Sequence, residues 1–162
     1  MYFLQLFMSS DFADIAKLLA FNFIDPTDAS NKYVAKMARM TREIRGQYKY
    51  RFRGMVRRLE SCSGTWTATL RAVADSLFEK GVYWERIVSL FAFAQEWFQY
   101  ALDHPELNHR DDDLHIGNKL TREERLRLSF ASALEHYINI RLKIWIQQRM
   151  GKFLRTIFFN KY

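Results

Sequence analysis

Apolar residues recur at three- and four-residue steps through most of the chain, a spacing that predicts helices rather than strands. Phe12, Ile15, Leu18, Leu19 and Phe23 share one side of a helix predicted over Asp11 to Phe23, which stops in the loop Asp25-Pro-Thr-Asp-Ala-Ser-Asn31. A longer pattern follows, with Tyr33, Val34, Met37, Met40, Ile44, Tyr48, Phe52, Met55 and Leu59 on one face, and frays where Ser61-Cys-Ser-Gly64 interrupts it. The next helix begins near Thr65 and places Trp66, Leu70, Val73, Leu77 and Phe78 at core spacing, with Gly81 suited to its C-cap. From about Tyr83 to near Asp103 the run Ile87 to Leu102 is apolar nearly all round, which predicts a helix buried at the centre of the domain. Thr121-Arg-Glu-Glu124 has the form of a capping box. It opens a helix expected to run to about Trp145 on the stripe Leu126, Phe130, Ala133, Tyr137, Ile140 and Ile144, with short turns at Ile146 to Gln148 and Phe153 to Phe158 finishing the fold.

Composition narrows this picture. Six glycines and two prolines among 162 residues are too few to turn a many-stranded sheet, and a 49% apolar, 16% aromatic chain has ample material for one core. The expectation is an all-α bundle forming a single domain over residues 1–162. Cys62 is the one cysteine, so no internal disulfide forms, which points to a reducing compartment or a packed thiol. The opening Met1-Tyr-Phe-Leu-Gln-Leu-Phe-Met8 lacks the basic flank of a signal segment and reads as a packed terminus. Ile87 to Leu102 contains Gln95, Glu96 and Gln99 and is shorter than the roughly 20 residues of a bilayer-spanning helix, so no membrane anchor is expected.

The net charge of +7 is concentrated. Between Lys32 and Arg58 ten basic residues face one acid, Glu43, so this segment carries +9 and the remainder sums to −2. The segment predicts a helix greasy on one face and cationic on the other. Nucleic acid, an anionic membrane and an acidic protein are all attracted to such a face, and charge alone does not separate them. A nucleic-acid role ranks low, because the aromatics are expected on the apolar face and stacking on bases would compete with the core.

Nothing indicates catalysis. His104, His109 and His115 lie beside Asp111-Asp-Asp113, but their spacing fits no zinc motif. Cys62 has no supporting motif, and no phosphate-binding glycine loop or nucleophile elbow occurs. No enzyme activity, cofactor or metal is expected.

One stretch is more specific. Ser76-Leu-Phe-Glu-Lys-Gly-Val-Tyr-Trp-Glu-Arg-Ile-Val-Ser-Leu-Phe-Ala-Phe-Ala94 resembles the first homology region of the Bcl-2 family of apoptosis regulators, which reads Glu-Leu-Phe-x-x-Gly-x-Asn-Trp-Gly-Arg-Ile-Val-x-x-Phe-x-Phe. Leu77, Phe78, Gly81, Trp84, Arg86, Ile87, Val88, Phe91 and Phe93 all match. Trp145-Ile-Gln147 with Gly151 and Phe153 looks like an eroded second region. Met37 to Tyr48 sits where the family carries its third (BH3) region, and Asp14 to Leu19 in the place of the fourth.

The resemblance implies a bundle of about eight helices around one hydrophobic helix, and a surface groove that receives the amphipathic BH3 helix of a partner. Carried over by position, the groove is expected to take its floor and walls from Ile44, Tyr48, Phe52, Met55, Val73, Leu77 and Phe93, beside the matched motif Trp84, Glu85 and Arg86. Arg86 matches the family arginine that pairs with the ligand aspartate, a planar fork suited to a carboxylate. Glu85 stands where the family has glycine, adding bulk and negative charge expected to narrow, shift or abolish ligand binding. Arg42, Arg45, Lys49, Arg51 and Arg53 are expected to offset it as a cationic rim. Thr41, Arg42 and Glu43 replace the usual Gly-Asp-Asp, making this segment a poor BH3 ligand and, with the first-region matches, favouring a pro-survival member; the ending Ile157-Phe-Phe-Asn-Lys-Tyr162, without a hydrophobic tail, is expected of a compact homologue of the viral type.

The implied partners are the BH3 motifs of the pro-apoptotic members Bax and Bak and of BH3-only proteins, met in the cytoplasm or at the mitochondrial periphery. The rival expectations are a homodimer or interaction module of the same fold with an occluded groove, and a basic nucleic-acid-binding helical domain.

Overall fold

The computed structural model describes residues 32–60, 65–106 and 120–145, with the side chains of the first helix described from Ala38 onward. The helix expected at Asp11 to Phe23, its resemblance to the fourth homology region, and the turns expected beyond Trp145 lie outside the described residues.

Four α-helices make up the described fold: α1 (Lys32–Glu60), α2 (Trp66–Phe78), α3 (Trp84–Asp103) and α4 (Arg122–Tyr137), the last continuing into a π-helical segment, Ile138–Leu142. No strand occurs among the described residues, and the all-α expectation holds. The hydrophobic run of α3 becomes the centre of the domain because it has no polar face to leave in water. Ile87, Val88, Leu90, Phe91, Phe93, Ala94, Trp97, Phe98 and Ala101 are all buried. α1 packs along α3 over the longest stretch, while α2 and α4 pack on α3 and on each other. Trp66 of α2 stacks on Phe130 of α4 with ring centroids 4.1 Å apart, and Trp97 of α3 stands edge-on to both at 6.4 and 6.2 Å. Aromatic pairs in these arrangements add about 0.5–1.5 kcal/mol each beyond their burial.

The helix ends follow local chemistry. Thr65 caps α2, its Oγ1 accepting from the Ala68 amide at 3.3 Å. Helix α2 stops at Phe78 with Glu79 as C-cap, so Gly81 lies two residues past the cap rather than at it. Its φ of +122° suits glycine, and its amide donates to the Phe78 carbonyl at 3.0 Å. At α4 both halves of the capping box form: Thr121 Oγ1 accepts from the Glu124 amide at 3.2 Å, and Glu124 Oε2 accepts from the Thr121 amide at 2.8 Å. Thr121→Ala is expected to cost about 1 kcal/mol, read as a lower urea midpoint with an unchanged slope.

The sequence stripe of α4 fails beyond Tyr137. Ile140 and Ile144 are 58% and 70% exposed, whereas Ile138 and Leu142 are buried. The observed buried ridge is Leu126, Phe130, Leu134, Ile138 and Leu142, a constant step of four. In a helix of 3.6 residues per turn such a ridge drifts off the core face. The wider π turn over Ile138–Leu142 takes up part of that drift and keeps the ridge inward.

Candidate functional site

The corner between α2 and α3 is organised by Arg86. Its Nη1 donates to the carbonyls of Leu77 at 3.2 Å and Gly81 at 2.9 Å, satisfying acceptors that the end of α2 leaves open. Its guanidinium carbon lies 4.9 Å from the centre of the half-exposed Tyr83 ring, a cation–π distance. Two carbonyls and one ring fix the orientation of a half-buried side chain. Nε and Nη2 have no hydrogen-bond acceptor among the described residues, so one edge of the fork stays available to a carboxylate.

The other expected site residues fall into two groups. On α1, the Tyr48 and Phe52 rings lie 6.1 Å apart, and Phe52 meets Phe93 of α3 edge-on at 5.8 Å. Tyr48 is 37% exposed and Phe93 is buried, while Ile44, Phe52 and Met55 are half-buried against the core. On α2, Val73 and Leu77 are half-buried against the same core, close to the Arg86 corner. Helices α1 and α2 both rest on α3 and scarcely touch one another. Trp84 opens α3 but packs on Trp145, ring centroids 5.0 Å apart, which brings the stretches that resemble the first and second homology regions together in space. Glu85 is exposed in the first turn of α3, where a carboxylate faces the positive end of the helix dipole.

Two of the arginines expected on the cationic rim are committed elsewhere. Arg45 Nε and Arg53 Nε each donate to Glu96 of α3, to Oε2 and Oε1 respectively, both at 2.6 Å. Glu96 is fully buried, while the two arginines keep 27% and 31% of their side-chain surface exposed. Burial pushes the Glu96 carboxyl upward, but the two hydrogen bonds and both positive charges outweigh it and hold the group below the ordinary carboxylate range. The reason these side chains leave the rim is electrostatic: an acid inside the central helix needs a cation, and α1 supplies two. Arg53 also reaches Asp103 at 3.5 Å. This clamp was not anticipated; the signal for it was a lone acid in a buried run next to a helix carrying ten cations.

The same clamp fixes the segment standing in the BH3 position. Thr41 is buried, Ile44 packs on the core and Arg45 is tied to Glu96, so this part of α1 faces inward. Of the loop histidines, His104 stacks on Tyr100 with ring centres 4.0 Å apart, and His109 and His115 lie outside the described residues. A cavity of about 740 Å³ opens between α2 and α4, lined by Leu70, Arg71, Leu90, Leu134, Tyr137 and Arg141 among others. None of the expected groove residues lines it.

No curated protein matches the chain. The sequence model of the apoptosis regulator proteins of the Bcl-2 family matches residues 37–151, from the inward-facing half of α1 through the Arg86 corner and beyond the Trp84–Trp145 contact. That span is well over half of the sequence, and the chain belongs to the Bcl-2 family of apoptosis regulators.

Proposed function

We propose that this regulator restrains cell death by receiving the BH3 helix of a pro-apoptotic partner between α1 and α2, above Phe93. The observation that carries the reading is Arg86, oriented by the Leu77 and Gly81 carbonyls, with one edge of its fork meeting no acceptor among the described residues. Half-buried apolar side chains lie on both sides, Ile44, Phe52 and Met55 on α1 and Val73 and Leu77 on α2, and such positions accept the anchors of an amphipathic helix. The partners are Bax, Bak and BH3-only proteins, bound by one domain acting in the cytoplasm or at the mitochondrial periphery. The pro-survival assignment is supported by the burial of Thr41 and the Arg45–Glu96 bond, which hold the chain's own BH3-position segment against α3 as wall instead of ligand. No helix among the described residues is long and apolar enough to cross a membrane.

Calorimetry with a panel of BH3 peptides tests this. Arg86→Ala is expected to weaken the best binder by about tenfold or more, the scale of a hydrogen bond to a charged group. Because Arg86 also holds the end of α2, the decisive measurement is a double-mutant cycle with the peptide's aspartate changed to alanine. Direct pairing makes the aspartate substitution nearly silent in the Arg86→Ala background. A peptide panel giving no heat, or an aspartate effect unchanged by Arg86→Ala, overturns the reading.

A further inference from the structure

The outward face of α1 carries a feature that groove binding does not use. Arg39, Arg42, Gly46, Lys49, Arg53 and Arg57 follow one another at three- and four-residue steps, and Tyr50 lies four residues after Gly46 and three before Arg53, so together they form one broad band along the helix. At 1.5 Å per residue the band from Arg39 to Arg57 is about 27 Å long. All but Arg53 are exposed. Arg53 belongs to the Glu96 clamp, and Arg39 stands 3.8 Å from Glu43. Arg42, Lys49 and Arg57 have no carboxylate partner among the described residues.

Tyr50 sits in the middle of this band and is 89% exposed, the most exposed large apolar side chain described. The sequence expectation that the aromatics of this segment fall on the apolar face is therefore corrected at Tyr50: the helical step carries it to the cationic side. Gly46 and Gly54 lie one turn before and one turn after it, and a Cβ built at either meets nothing within 4 Å. Packing does not require glycine at these positions, and each costs about 1 kcal/mol of helix propensity against alanine. Their consequence is low relief on both sides of the ring, which leaves the Tyr50 ring standing clear of its neighbours one turn before and after it.

We propose that this band docks the protein on bilayers bearing anionic headgroups, the cations lying at the headgroup plane and the Tyr50 ring in the interfacial layer. A helix lying along a plane brings the four exposed cations Arg39, Arg42, Lys49 and Arg57 toward the headgroups, and four to eight lysines and arginines on such a helix suffice for electrostatic membrane association. Tyrosine is favoured at that depth because its ring is apolar and its tip polar. A protein partner would need an apolar interface core, and Tyr50 flanked by two glycines offers too little. Single-stranded nucleic acid binds grooves with successive aromatic platforms, and the band is convex with one aromatic. Gly46, Tyr50 and Arg57 lie on the side of α1 away from Ile44 and Met55, so docking through Tyr50 leaves those two groove positions directed away from the lipid.

The test is co-sedimentation of the whole protein with vesicles of phosphatidylcholine alone and of equal parts phosphatidylcholine and phosphatidylserine, over a salt series. Binding is expected on the mixed vesicles only, falling steeply with added salt. Arg42→Glu/Lys49→Glu/Arg57→Glu is expected to weaken it by about tenfold or more. Arg71→Glu/Lys80→Glu/Arg141→Glu makes the same change in net charge at exposed positions of α2, its following turn and the π segment, and is expected to leave binding within about twofold. Tyr50→Ser, at a position that contributes nothing to the core, is expected to weaken binding about threefold while keeping the salt dependence. Circular dichroism confirms that each variant is folded. Equal losses in the two triple variants, binding indifferent to phosphatidylserine, an unaffected Tyr50→Ser, or displacement from vesicles by a single-stranded oligonucleotide that binds more tightly would each overturn the proposal.

Discussion

Arg45→Ala/Arg53→Ala is expected to lose about 3–5 kcal/mol of stability, the cost of leaving a buried carboxylate without its counter-charges. Glu96 has no access to water and takes both hydrogen bonds from these two side chains, so the double variant must protonate it, hydrate it or open α1 away from α3. Glu96→Gln is expected to cost less, about 1–3 kcal/mol, because both arginines are partly exposed and can turn to solvent. Replacing all three residues by apolar ones of similar volume, Arg45→Met/Arg53→Met/Glu96→Leu, should recover most of the loss, since an ion pair taken out of water repays little more than its own desolvation. Urea unfolding followed by circular dichroism ranks the three variants.

The clamp also sets a pH dependence. Glu96 is held below the ordinary carboxylate range in the folded chain and returns to about 4.3 when unfolded. Between those values the unfolded state binds more protons, so stability rises with pH there. The contribution is complete above the ordinary value and is lost as pH falls through it toward the depressed one. Other carboxylates titrate in the same window. The wild-type chain should therefore lose more stability between pH 6 and pH 3 than Glu96→Gln does, and equal losses would remove Glu96 as the cause.

The parts of the fold that local chemistry dictates were legible in the sequence. The Thr121 box, the Thr65 start of α2 and the span of α3 each depend on neighbours within a turn, and each forms where the pattern places it. The π segment was not legible, because it depends on whether Ile138 or Ile140 reaches the core, which α2 and α3 decide. The same holds for Glu96. It reads as a polar interruption of an apolar run, and the arginines that make it tolerable come from 51 and 43 residues earlier. Of the candidate site, Arg86 is singled out by the motif match, whereas the Phe52–Phe93 contact and the withdrawal of Arg45 and Arg53 from the rim depend on how α1 packs on α3. Tyr50 is the exception to the expectation that the aromatics of this segment lie on the apolar face, and its helical phase, two residues from Tyr48 and from Phe52, accounts for it.

Trp97→Ala is expected to destabilise the protein by about 3–5 kcal/mol, as large-to-small changes at fully packed aromatics do. Trp97 is 1% exposed and lies where three helices converge: its ring meets Phe93 at 5.7 Å on its own helix, Trp66 of α2 at 6.4 Å and Phe130 of α4 at 6.2 Å. Its Nε1 donates to Glu60 Oε1 at 2.7 Å, which ties the last residue of α1 to the centre of α3. Removing the indole therefore opens a cavity bordered by α2 and α4 and removes a bond that ties the C-terminal end of α1 to α3 at once. Trp97→Phe separates the two effects. It keeps most of the apolar volume and removes the donor, so its expected cost is about 1–2 kcal/mol. Hydrogen exchange should then show lost protection confined to the last turns of α1, with α2 and α4 retaining theirs. If Trp97→Phe is as damaging as Trp97→Ala, the Glu60 bond and not the aromatic cluster dominates this junction, and α1 is secured to the core at its end as firmly as at the Glu96 clamp.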